Sequence, residues 1–178
     1  MTAAPRLAVP AASPPPADEA EAPELSQDVR RPIGQLLLEA GLIGREDLEK
    51  ALAFQESYGG RLGSILVRMG AVGEDPLLQL LSRQLDLPVL DREEIPADLR
   101  SFQAAIEASG LSGDWWLDQE ALPWETGEGR LHLMARDPLR PSLQEVADRA
   151  FPGRSLVWWL TRSQDLDRTL DQVRRKIA

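Results

Sequence analysis

Between residues 30 and 90 the apolar positions fall at helical spacing in short bursts, each ended by a glycine, and the bursts repeat. Ile33-Gly34-Gln35-Leu36-Leu37-Leu38-Glu39-Ala40-Gly41-Leu42-Ile43 aligns with Leu62-Gly63-Ser64-Ile65-Leu66-Val67-Arg68-Met69-Gly70-Ala71-Val72 at a constant offset of 29 residues. The offset carries on, pairing Leu48 with Leu77, Leu52 with Leu81 and Gln55 with Gln84. Two copies of one supersecondary unit follow from this. Each copy predicts a short helix, a left-handed glycine stop at Gly41 or Gly70, and a second helix opened by acidic residues. Pro76 falls in a first turn, where proline is tolerated. Four short helices in two pairs should pack together, because neither pair closes a core alone.

After Pro88-Val89-Leu90 the pattern changes. Residues 96–109 predict a helix with Leu99, Phe102, Ala105 and Ile106 on one side. Glu120–Trp124 and Arg130–Ala135 predict two strands joined by a glycine-containing turn, the second alternating with a period of two. That alternation puts His132 on a solvent face. Pro141–Phe151 predicts a helix, Ser155–Leu160 a third strand and Gln164–Lys176 a closing helix. The expected class is α+β: a four-short-helix repeat lobe over 30–90, then a small α/β lobe with about three strands over 91–178. Residues 1–29, rich in Ala, Pro and acidic residues, predict a disordered tail or linker.

Composition narrows the chemistry. The chain has 178 residues, no cysteine, one histidine and a net charge of −9. Thiolate metal sites are excluded, and duplex nucleic acid is disfavoured because it demands a basic footprint. A single small phosphate ligand is not disfavoured, since a few arginines can hold it. No phosphate loop of the GxxxxGK[ST] type and no Gly-x-Ser-x-Gly elbow occurs. No enzyme activity, no metal and no cofactor are expected. No apolar run approaches the roughly 20 residues that span a bilayer, so a cytoplasmic protein without membrane insertion is expected.

The repeat itself could hold a ligand. Gly34 and Gly63 each open a copy, offering free amides and a surface bare of side chains. Arg61 precedes Leu62-Gly63 and could grip a phosphate or a guanine edge. Leu77, Leu81 and Gln84 form one stripe, an apolar wall with one polar contact. Leucines at i and i+4 also make ordinary cores, and glycines ordinary caps. Spacing alone leaves both roles open.

The paired motifs resemble the cyclic di-GMP-binding N-terminal domain of type II secretion and type IV pilus ATPases, the MshEN domain. That motif runs Arg-Leu-Gly, two residues, two aliphatics, two residues, Gly, aliphatics, four residues, Leu, three residues, Leu, two residues, Gln. The second copy, Arg61 to Gln84, matches throughout. The first, Ile33-Gly34 through Leu48, Leu52 and Gln55, departs at its opening: Pro32 takes the arginine place, and Arg31 stands one residue early. Glu56–Gly60 has the length of the family's spacer. Leu122-Pro123, the second strand and Asp137-Pro138-Leu139 look like the family's second lobe.

The resemblance implies a cyclic di-GMP ligand. It implies ligand contacts from Arg61, Leu62, Gly63, Leu77, Leu81 and Gln84, from Ile33, Gly34, Leu48, Leu52 and Gln55, and from Arg31. Asp137 is the implied contribution of the second lobe, with a turn role before Pro138 as its other reading. Implied partners are secretion or pilus ATPase machinery, or an inner-membrane glycosyltransferase, reached in trans because no ATPase segment is present. The alternative function is nucleotide-independent protein docking, for which the Trp115-Trp116 and Trp158-Trp159 pairs would serve as exposed anchors.

Overall fold

The computed structural model describes residues 32–127 and 129–177. The tail over 1–29 and Arg31 lie outside the described residues.

The repeat lobe holds α1 (Ile33–Glu39), α2 (Arg45–Tyr58), α3 (Leu62–Arg68) and α4 (Glu74–Leu85). The 29-residue offset persists in three dimensions. Gly41 and Gly70 take left-handed φ values of +67° and +73°. Around each, the same two bonds form: Gly41 N–H to the Leu38 carbonyl with Leu42 N–H to Leu37, and Gly70 N–H to Val67 with Ala71 N–H to Leu66. These pairs satisfy carbonyls at the helix ends and turn the chain back on itself. The Asp47 carboxylate accepts from Gly44 N–H at 3.1 Å, fixing the start of α2. Leu37, Ile43, Ala51, Ile65, Leu66, Val72 and Leu77 form a core of their own.

The opening glycines have a packing reason. A Cβ on Gly34 would stand 2.6 Å from Leu48 Cδ1, and one on Gly63 would stand 3.1 Å from Leu77 Cδ2. Gly34 and Gly63 are the second residues of α1 and α3. Their bareness lets the leucine of each copy's second helix press onto the first.

The second lobe follows a single 3-10 turn at Arg92–Glu94. Its elements are α5 (Arg100–Ser109), α6 (Gly113–Asp118), β1 (Ala121–Glu125), β2 (Leu131–Ala135), α7 (Pro141–Ala150), β3 (Leu156–Trp159) and α8 (Ser163–Ile177). The sheet order is β1-β2-β3. β1 and β2 are antiparallel, and β2 and β3 are parallel across the α7 crossover. The connector from the repeat lobe joins the free edge: Val89 bridges Leu160 in parallel, with Leu90 N–H bonded to the Leu160 carbonyl and Leu160 N–H to that of Pro88. The link between lobes is thereby tied to the sheet.

Two expectations are corrected here. His132 does not face solvent; it is buried, with only 9% of its surface exposed. β2 is the central strand and all five of its residues are buried, so its alternation separates two covered faces rather than core from water. The His132 ring stacks on Trp124 at 5.2 Å, and its Nδ1 accepts from Trp159 Nε1 at 2.9 Å. The tryptophans are not exposed anchors either. Trp116 is fully buried, and Trp115, Trp158 and Trp159 are partly buried against the same core. The helix α6 was not foreseen. Ser112 caps it, its Oγ accepting from Trp115 N–H at 3.1 Å, and Ser112-Gly113-Asp114 was the available signal.

Candidate functional site

A cleft of about 500 Å³ opens between the two lobes. That size is ordinary for a small-molecule site. From the second repeat copy, Arg61, Leu62, Gly63, Ser64, Val67, Leu77 and Leu81 line it, and Ile33 reaches in from the first. From the second lobe come Ala135, Arg136, Pro138, Leu160, Thr161 and Leu166. An apolar wall with a few charged groups at its edge can bury a flat ring system and leave an anionic part at the arginines.

Arg61 spans the mouth. It stands at the start of α3 with extended backbone, φ −88° and ψ 128°. Its Nη1 donates to the Arg136 backbone carbonyl, and its Nη2 lies 3.9 Å from the Asp137 carboxylate. The second-lobe aspartate singled out from sequence thus meets the repeat-lobe arginine. Arg136 is itself held by Glu120 and Asp167. Burial works against its charge, but hydrogen bonds to Asp167 and Glu120 outweigh that and keep its pKa above the ordinary arginine value. Arg136 is thus a neutralised strut whose carbonyl positions Arg61.

A second set of bonds fastens the lobes at the start of α4. The Glu74 carboxylate accepts from Ser163 N–H at 2.8 Å and from its Oγ at 2.6 Å. Arg162 Nε meets Asp75 at 2.6 Å, and its Nη1 lies 3.5 Å from Asp91. The bond to Asp75 raises the Arg162 pKa. The acids of this first turn also suit the positive end of the helix dipole.

The remaining predicted residues sit elsewhere. Gly34 and Leu48 pack on each other outside the cleft lining. Leu52 is exposed on α2. Gln55 donates to the Gly60 carbonyl at 2.8 Å and so braces the spacer between copies. Gln84 is partly buried on α4 and does not line the cleft. At the first copy's opening, Pro32 has φ −58° and ψ 133°, nearly the Arg61 backbone. The exchange keeps a similar backbone conformation but removes the guanidinium and one backbone N–H donor. Sequence reasoning missed the second-lobe wall, Arg136, Leu160, Thr161 and Ser163, and it also missed Arg68.

A two-lobed α+β module with a ligand-sized cleft between a tandem helical repeat and a three-stranded sheet is the class that fold and site define. The chain belongs to the MshEN domain family, whose model matches residues 85–177. It is similar to the type IV pilus assembly ATPase PilB of Thermus thermophilus, with 41% identity over 120 residues, 65% of this chain and 13% of that protein. The Myxococcus xanthus PilB is 33% identical over 66 residues, 37% of this chain and 12% of its own length. The chain therefore spans about an eighth of these curated relatives. Among solved structures, one of MshE with cdg is 27% identical, with a TM-score of 0.65 over 81% of this chain and 99% of the other. The N-terminal domain of XpsE, 22% identical with a TM-score of 0.60, covers 81% and 94% and shares the fold. Among the described residues no helix is long and apolar enough to cross a membrane.

Proposed function

We propose that this chain is a cyclic di-GMP-binding regulatory module without catalytic activity of its own. Its partner is secretion, pilus or polysaccharide-synthesis machinery in the cytoplasm. The observation that carries this reading is the inter-lobe cleft, walled by Leu62, Gly63, Leu77 and Leu81 of the second motif and bridged by Arg61. Support comes from the similarity to MshE, a protein whose solved structure holds cdg. A ligand in this cleft would compete for the bonds that Arg61 makes to the Arg136 carbonyl and Asp137. Binding would then change how firmly the lobes are fastened, which is a physical route from nucleotide to partner surface.

A docking module indifferent to nucleotide is the rival reading. Of its two supports in the sequence, the exposed tryptophan pairs are gone, because those rings belong to the second-lobe core, while Pro32 in the arginine place remains. The two readings differ in a melting experiment. A ligand that binds only the folded chain stabilises it by RT ln(1 + [L]/Kd), about 2.7 kcal/mol at a hundredfold excess over Kd. Cyclic di-GMP is expected to raise the melting temperature by several degrees, and GTP to leave it unchanged. No effect of either would favour the docking reading, and equal stabilisation by both would mean a site that does not select cyclic di-GMP.

A further inference from the structure

The two motif copies differ in charge at a position the motif leaves free. Glu39 in α1 corresponds, 29 residues on, to Arg68 in α3. Glu39 is not in the cleft lining, whereas Arg68 is. Arg68 follows Arg61 by seven residues, two helical turns, so both guanidiniums project along one face of α3 with roots about 10 Å apart.

The charged groups of the cleft are not equally available. Arg136 is bound to Glu120 and Asp167, and Glu74 is bound to Ser163. Arg61 shares Asp137 and a backbone carbonyl. Among the described residues Arg68 pairs with no carboxylate; its contact is the face of Phe54, 5.9 Å from Cζ to the ring centroid. Phe54 lies on α2 of the first copy, so the ring of one copy steadies the arginine of the other. Stacking orients the guanidinium plane while leaving its N–H donors free.

We infer that Arg68 is a second phosphate-holding arginine of the cleft and compensates for the guanidinium that Pro32 removes from the first copy. This rests on the nucleotide reading proposed above. The ligand is held by one arginine at each end of α3, rather than by one arginine from each copy. Both phosphate-holding arginines come from one repeat, so the site is asymmetric, although the ligand has two equivalent halves.

Titrating cyclic di-GMP into the wild-type chain, Arg68→Ala and Arg68→Lys tests this directly. Arg68→Ala is expected to weaken binding about tenfold, the size of one charge-assisted hydrogen bond. Its helical circular dichroism should stay unchanged, because the side chain is exposed. Arg68→Lys keeps the point charge but not the stacked plane, and should recover to within about threefold of wild type. The salt dependence of binding should also flatten in Arg68→Ala, as it does when a phosphate contact is lost. Wild-type affinity in Arg68→Ala would overturn the inference, and so would a lysine variant as weak as alanine. A wild-type chain that takes up no cyclic di-GMP overturns the parent reading instead.

Discussion

Replacing Arg61 with alanine is expected to lower cyclic di-GMP affinity by about 10- to 100-fold while leaving the fold in place. The magnitude is that of one or two charge-assisted hydrogen bonds, about 1.5–3 kcal/mol. The fold should survive because the side chain is 43% exposed and its link to Asp137 is long, at 3.9 Å. An exposed pair of that kind contributes well under 1 kcal/mol to stability. Isothermal titration measures the affinity and far-ultraviolet circular dichroism the helices. An unchanged Kd would remove Arg61 from the site. Loss of helicity would mean that its bond to the Arg136 carbonyl is structural.

Trp116→Ala is expected to have the largest effect on stability, about 3–5 kcal/mol, the cost of deleting a fully buried aromatic ring. Two things are lost together. The ring packs between Trp115, edge-on at 5.0 Å, and Phe151 at 6.1 Å. Its Nε1 also donates to Ser109 Oγ at 3.0 Å, in a network where that oxygen accepts from Leu111 N–H and donates to the Ile106 carbonyl. For a folded region of this size, such a loss corresponds to a melting temperature lower by about 10 °C. A drop of only one or two degrees in a thermal melt would contradict the burial of Trp116.

The repeat was legible in the sequence because its signal is redundant. Each glycine stop, apolar stripe and acidic helix start is stated twice at one offset, and the structure repeats even the capping bonds. The strands were legible because β2 alternates with a clean period of two. The same alternation misled about His132. Period shows that two faces differ, not that one of them is wet, and the second cover of β2 comes from elements distant in sequence. Helix α6 is six residues long, too short for periodicity to register, and only its Ser112 cap announced it.

The site was legible on one side. The second-copy residues Arg61, Leu62, Gly63, Leu77 and Leu81 do line a common cleft with Ile33. The opposite wall depends on contacts between residues 75 and 89 positions apart, such as Arg61 with Arg136 and Glu74 with Ser163. No local pattern encodes an approach of that length. Asp137 was reached through family resemblance, and its position beside Arg61 supplies a physical reason for it. The glycines were assigned to ligand contact by the motif. Their nearest neighbours, Leu48 and Leu77, give close helix packing as a second reason for them.

The central claim, that the cleft between repeat and sheet takes up cyclic di-GMP, is tested most directly by isothermal titration of the unmodified chain at tens of micromolar. A saturable heat with one ligand per chain, weakened about 10- to 100-fold when Arg61 is alanine, is the predicted result. A flat titration of a folded chain would contradict it.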